Sequence, residues 1–239
     1  MTTTDLLVAS LVMVLAAALQ SAAGFGSNLV AAPLLMWLDS SLVPGPLVAT
    51  GTMLVLLMSS RERDGARLTE LSWAWLGRLP GTVLGAAALA AVPQRDLRLF
   101  LGCVMLLAVV VAAFPTELRI TKGTLFSAAL VSGFMATTVS IGGPPFALLF
   151  RDAEGPYLRG TLSRFFAATS FLSLVALAWS GHFGAEEVRW SLALAPSVVV
   201  GFLVGGRLRS LVDEGRTRAT VLGISAASAA TAIVTALAR

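Results

Sequence analysis

The sequence predicts an all-α polytopic membrane protein made of two inverted-topology repeats. Each repeat reads as a broken helix or helical hairpin followed by three transmembrane helices. Three observations lead there. First, the 239 residues are 56% hydrophobic and 13% charged, with a mean hydropathy of +0.85. A soluble domain of this length cannot hide so much apolar surface. Second, the apolar residues come in long runs, such as LLVASLVMVLAAAL at 6–19 and LRLFLGCVMLLAVVVAAF at 97–114. Runs of roughly 17–25 such residues can cross a hydrocarbon core of about 30 Å. Third, the chain matches itself at a shift of 116 positions, with Gly26 on Gly142, Ala31 on Ala147, Glu70 on Glu186, Pro80 on Pro196 and Gly85 on Gly201. Internal repeats of this kind are a common construction in secondary transporters.

The first repeat, residues 1–114, opens with an apolar segment at 5–23. It has no basic leader and outruns the apolar stretch of a cleavable signal, so it reads as a membrane segment. The next segment, 27–38, reaches only about 18 Å as a helix. With its predecessor it forms a hairpin or broken helix that returns the chain to its starting side. Segments at 45–59, 71–92 and 97–114 then cross in turn. A polar link, PTELRITK at 115–122, leads to the second repeat at 123–239, whose segments are 123–139, 143–150, 159–180, 189–206 and 217–237. Each repeat therefore makes a net crossing, and the two copies point in opposite directions.

The charges agree with that topology. With the N-terminus outside, Arg61, Arg63, Arg67, Arg119, Lys122, Arg151, Arg159, Arg207, Arg209, Arg216 and Arg218 fall in inside loops. Only Arg95, Arg98, Arg189 and Arg239 fall outside, as the positive-inside rule expects. The excess of four positive charges is thus a property of membrane loops, and no nucleic-acid signature accompanies it. The stripes GTVLG (81–85) and GFLVG (201–205) mark close helix packing.

The two breaks carry the functional reading. GFGSN (24–28) and SIGGPP (140–145) interrupt helices inside the membrane. Irregular backbone is tolerated there only when it is buried in protein or lines a watery cavity. Under two-fold inversion the breaks approach each other near the bilayer centre, where transporter sites form. Ser27 is the expected N-cap of a helix beginning at Asn28. The amides near Asn28 and Leu29 then make an anion cradle at the positive end of a helix dipole, with the Asn28 side chain as a further donor. In the second break Gly143 is the expected N-cap. Pro144 and Pro145 occupy the first turn, where each removes an N–H donor. Gly24, Gly26, Gly142 and Gly143 permit close approach and unusual backbone angles.

Thr50, Ser140 and Thr161 are candidate second donors. Arg164 lies about 8 Å into its helix and either draws an anion inward or snorkels to the headgroups. Arg78, after WAWLG (73–77), reads as an interfacial anchor beside an aromatic belt. All thirteen acidic residues lie at span ends or in loops. No carboxylate is left at mid-membrane to bind a cation, so a small anionic or neutral substrate is expected, with any co-transported ion left open. His182, the one histidine, reads as a solvated loop residue. There is no histidine pair for a metal, no Ser–His–Asp set and no Walker loop, and a single cysteine, Cys103. The chain therefore reads as a non-enzyme without catalytic residues, metal or cofactor. Its partners are the lipid bilayer and a small anion, either carried by a secondary transporter or conducted by a passive channel on the same scaffold.

GFGSNLVAAPLL (24–35) and GFMATTVSIGGPPFALLF (133–150) are each followed by a threonine-bearing segment, ATGT at 49–52 and RGT at 159–161. Together they resemble the paired motifs of the TauE/SafE sulfite-exporter-like transporters. LPGTVLGAAALAAV (79–92) and APSVVVGFLVGGRLRSLV (195–212) fit that family's proline–glycine helices, and the resemblance covers essentially the whole chain. It implies a carrier in a bacterial-type inner (plasma) membrane for small sulfur-containing or organic anions such as sulfite, thiosulfate, sulfoacetate or other sulfonates. The motif positions it carries over are Gly24, Gly26, Ser27, Asn28, Pro33, Gly142, Gly143, Pro144 and Pro145. This chain departs from the commoner glycine-rich pattern at Ser27-Asn28 and at Pro144-Pro145.

Overall fold

The computed structural model describes residues 3–62, 71–93, 95–113, 118–150 and 155–208. The expected helix at 217–237 lies outside these residues, as do Arg63, Arg67, Arg151, Arg209, Arg216, Arg218 and Arg239. Among the described residues the chain is all helical. Its helices are α1 (Thr3–Ala23), α2 (Ser27–Leu38), α3 (Gly45–Arg61), α4 (Ser72–Ala91), α5 (Leu97–Ala113), α6 (Lys122–Val139), α7 (Gly143–Ala147), α8 (Gly155–Trp179) and α9 (Ala185–Leu208). Short 3-10 turns follow α2 at Ser40–Leu42 and α7 at Leu148–Phe150.

Local chemistry sets several of these ends. α1 stops at Gly24, whose φ of 102° is left-handed, and α2 starts after Gly26, at 106°. Glycine adopts that region without the Cβ penalty. α6 begins at a capping box in which the Thr121 hydroxyl accepts from the Thr124 amide, and it ends at Ser140, the one non-glycine described with positive φ, at 65°. Pro80 lies inside α4 and Pro196 inside α9.

Small residues decide which helices meet. α4 lies along α6, and α1 along α9. A Cβ at Gly77 or Gly81 of α4 would overlap the backbone of Phe126 or Leu130 on α6. Gly133 of α6 is also crowded, with its Cβ position 2.7 Å from the Arg78 carbonyl oxygen. On the other pair, Gly201 and Gly205 of α9 press against the backbone of Val14 and Ala18 on α1. α3 packs on α8 and α9.

One apolar core joins Met13, Leu29, Leu35, Leu47, Leu54, Met58, Leu101 and Met135. A second gathers round Phe146 and Phe165, whose rings stack at 4.2 Å. Large apolar side chains also face outward, among them Leu7, Leu11, Leu15, Val83, Leu84, Val110, Val175, Leu192 and Leu203. Water does not favour such a surface; lipid does. α1, the Pro156–Trp179 part of α8, and α9 are long and apolar enough to cross a membrane, while α2 and α5 are shorter apolar helices. These features are those of a multi-pass membrane protein.

Candidate functional site

Both breaks come together, although they are 112 residues apart at the contact. The Asn28 side-chain amide donates to the Ser140 carbonyl at 2.8 Å. The Ser140 hydroxyl donates to the Pro44 carbonyl at 3.0 Å, at the start of α3. Further along α3, Gly51 faces the Asn28 amide nitrogen, which lies 3.1 Å from where a Cβ would be. α3 therefore runs past both breaks and holds them against one wall.

Between them lies a cavity of about 80 Å³. That is roughly five to eight times the space one buried water needs, enough for a small anion and far too little for a nucleotide. Residues 24–29 and 140–144 supply two sides of it. Val48, Gly51, Thr52 and Val55 of α3 form a third, and Phe166, Ser170 and Ser173 of α8 a fourth. Gln20 of α1 and Arg78 of α4 complete the polar lining.

Gly24, Gly26, Ser27, Asn28, Leu29, Ser140, Gly142, Gly143 and Pro144 thus share one cavity. Pro145, Thr50, Thr161 and Arg164 are not part of its wall. The Thr50 hydroxyl bonds back to the Pro46 and Leu47 carbonyls of its own helix, a habit of threonine in apolar helices. Arg164 reaches towards the Glu62 carbonyl instead, at 3.4 Å.

The expected caps are corrected by one residue. Gly26, not Ser27, is the N-cap of α2, and Gly142, not Gly143, is the N-cap of α7. Ser27 is the first helical residue. Its amide donates to the Gln20 side-chain oxygen at 3.1 Å, and its hydroxyl donates to the same atom. A side chain of α1 therefore caps α2, which the left-handed φ of Gly26 makes geometrically feasible.

Arg78 is a larger correction. It is only 1% exposed, so it is no interfacial anchor. Its Nη1 donates to the Ser132 hydroxyl at 3.0 Å and its Nη2 to the Ser173 hydroxyl at 3.3 Å. The Phe166 ring lies 5.6 Å from the guanidinium carbon, and Nε has no hydrogen-bond partner. Among the described residues no carboxylate pairs with it. Buried charges are ordinarily paired, because an isolated one costs several kcal/mol of lost hydration. Arg78 instead presents its charge to a cavity. The signal was available in the sequence. Gly81 marks the packed side of α4, and Arg78 precedes it by three residues and precedes Thr82 by four, the spacing that puts side chains on one helix face.

A second charged cluster stands behind Gly24. Glu62 is buried and pairs with Arg61 at 3.3 Å and Arg159 at 3.8 Å. Arg61 donates to the Ser21 carbonyl at 2.8 Å and lies over the Phe202 ring. The Arg159 side chain packs directly on Gly24. Cations near the last carbonyls of α1 suit the negative end of its dipole. Among the described residues no three histidine, cysteine, aspartate or glutamate side chains are grouped to hold a metal ion.

A family model described as sulfite exporter TauE/SafE matches residues 9–232. No curated protein and no solved structure gives a match.

Proposed function

Because the chain belongs to the sulfite exporter TauE/SafE family, we propose that it is a secondary membrane transporter for small anions and binds them between its two broken helices. Sulfur-containing anions such as sulfite, thiosulfate and sulfonates are the first class to consider. The observation that carries this reading is the convergence of both breaks on one cavity, tied by the Asn28–Ser140 bond. Irregular backbone at membrane depth has a reason to exist where it lines a polar cavity, and transporter sites form at such repeat interfaces.

The inverted repeat draws support from packing. Exchanging the repeats turns α1 into α6 and α4 into α9. The close α4–α6 pair then becomes the close α9–α1 pair, and α3–α8 maps onto itself. Movement of one repeat against the other about this shared cavity gives alternating access. In this reading the membrane is a bacterial-type inner membrane.

Purified protein in liposomes tests the proposal. Sulfite or methanesulfonate uptake should saturate and speed up when the same anion is loaded on the opposite side. Flux that rises without saturation and ignores the opposite side would instead identify a passive channel. Absence of any anion flux would overturn the reading altogether.

A further inference from the structure

We propose that Arg78 is the cation that binds the substrate, and that the forked edge of its guanidinium selects oxyanions over spherical anions. This rests on the transporter reading above and names the group that does the binding.

The breaks themselves have few donors to give. The Ser27 amide and hydroxyl are both taken by Gln20, and one proton of the Asn28 amide is held by the Ser140 carbonyl. Pro144 and Pro145 have no N–H at all. Arg78 has five N–H groups, of which two are used, on Ser132 and Ser173. Nε is buried, faces no acceptor among the described residues, and belongs to a side chain that lines the cavity. The site therefore contains a whole positive charge with unused donors and, among the described residues, no counter-charge.

Geometry specifies the ligand further. The two serines hold the guanidinium by separate nitrogens, which fixes its plane. A fixed plane presents parallel N–H groups whose spacing matches two oxygens of a carboxylate, sulfite or sulfonate. Chloride offers one acceptor centre instead of two, so the parallel N–H groups must converge on it and neither bond is straight. The small cavity limits the ligand to a head group with few atoms beyond its oxygens. Ser132 also donates to the Gly142 carbonyl at 2.6 Å, so a ligand pulling on Arg78 acts on the second break through one hydroxyl.

The test is anion binding to purified full-length protein in detergent at constant ionic strength, read by calorimetry and by melting temperature. The probes are sulfite, methanesulfonate, acetate and chloride. Wild type should bind the three oxyanions at least about tenfold more tightly than chloride, a difference of about 1.4 kcal/mol. Arg78→Gln should lose at least about tenfold in affinity for every oxyanion. It should melt no lower than wild type in anion-free buffer, since the unpaired buried charge is gone. A purely structural arginine would give the reverse pattern: a lower melting temperature and unchanged affinity. Arg78→Lys keeps the charge without the fork, so it should retain anion binding and lose the preference over chloride. Ser173→Ala, which frees the guanidinium plane without removing charge, should narrow the same preference and provides a second route if the Arg78 variants do not fold. Oxyanion binding that survives in Arg78→Gln overturns this assignment and leaves the transporter reading standing. A wild-type protein that neither binds nor moves any anion overturns the transporter reading itself.

Discussion

Gly24 carries two constraints at once. Its φ is 102°, and a Cβ there would come within 2.7 Å of the Arg159 side chain. Gly24→Ala should cost about 1–2 kcal/mol from the backbone alone, with Arg159 displaced from Glu62 as well. A thermal melt should show the loss, and a variant that melts like wild type would mean that the break adjusts freely. Asn28 is a different case. Its amide nitrogen donates to the Ser140 carbonyl, so Asn28→Asp replaces a donor with an acceptor and brings negative charge into the cavity. Sulfite or methanesulfonate affinity should fall at least about tenfold, or about 1.4 kcal/mol. Undiminished affinity in calorimetry would place the anion elsewhere. The residue type pointed to a donor at Asn28; its partner, 112 positions away, had no local trace.

At the scale of single helices, glycine spacing proved more informative than hydropathy. GTVLG and GFLVG were read as packing stripes, and the close α4–α6 and α1–α9 contacts run through them. Gly81→Ala places a methyl against the Leu130 backbone, which cannot move aside as a side chain could. Overpacking of this kind costs about 1–3 kcal/mol. Gly123→Ala, in the first turn of α6, meets nothing closer than the Thr121 hydroxyl at 3.9 Å. It should leave stability unchanged or raise it by about 0.5–1 kcal/mol. Parallel melting curves check the pair, and equal effects at the two positions would refute the packing argument. Short apolar segments were also legible: the apolar run 27–38 forms α2, although its helix was expected to begin one residue later, at Asn28.

For the whole molecule, the central expectation is that equivalent loops of the two repeats open on opposite sides of the membrane. Ser60, at the end of α3, and Ala185, at the start of α9, are both exposed and flank those loops. In a Cys103→Ala background, Ser60→Cys should react with an impermeant thiol reagent from the inside only, and Ala185→Cys from the outside only. Reaction of both from the same side would exclude inversion. The cavity lies where residues 24–29 and 140–144 meet, yet its lining is not symmetric. Leu194 stands at the position of the second repeat that matches Arg78. Among the residues that line the cavity the charge is supplied once, by Arg78.

What the sequence by itself determined was the class of molecule, the approximate extent of its described helices and the location of both breaks. Length, hydropathy and glycine–proline punctuation act within one segment, so they can be read along the chain. Tertiary structure alone decided which groups meet across segments. Gly26 rather than Ser27 caps α2 because the left-handed turn brings the Gln20 side chain over the helix start. Arg78 is a buried cation rather than a headgroup anchor because the glycines of α4 let α6 approach, which brings Ser132 within reach on that helix, while Ser173 comes from α8. Hydropathy assigns an arginine a depth in the membrane but not a direction. The direction follows from backbone packing, and here it turns the charge away from lipid and into the cavity.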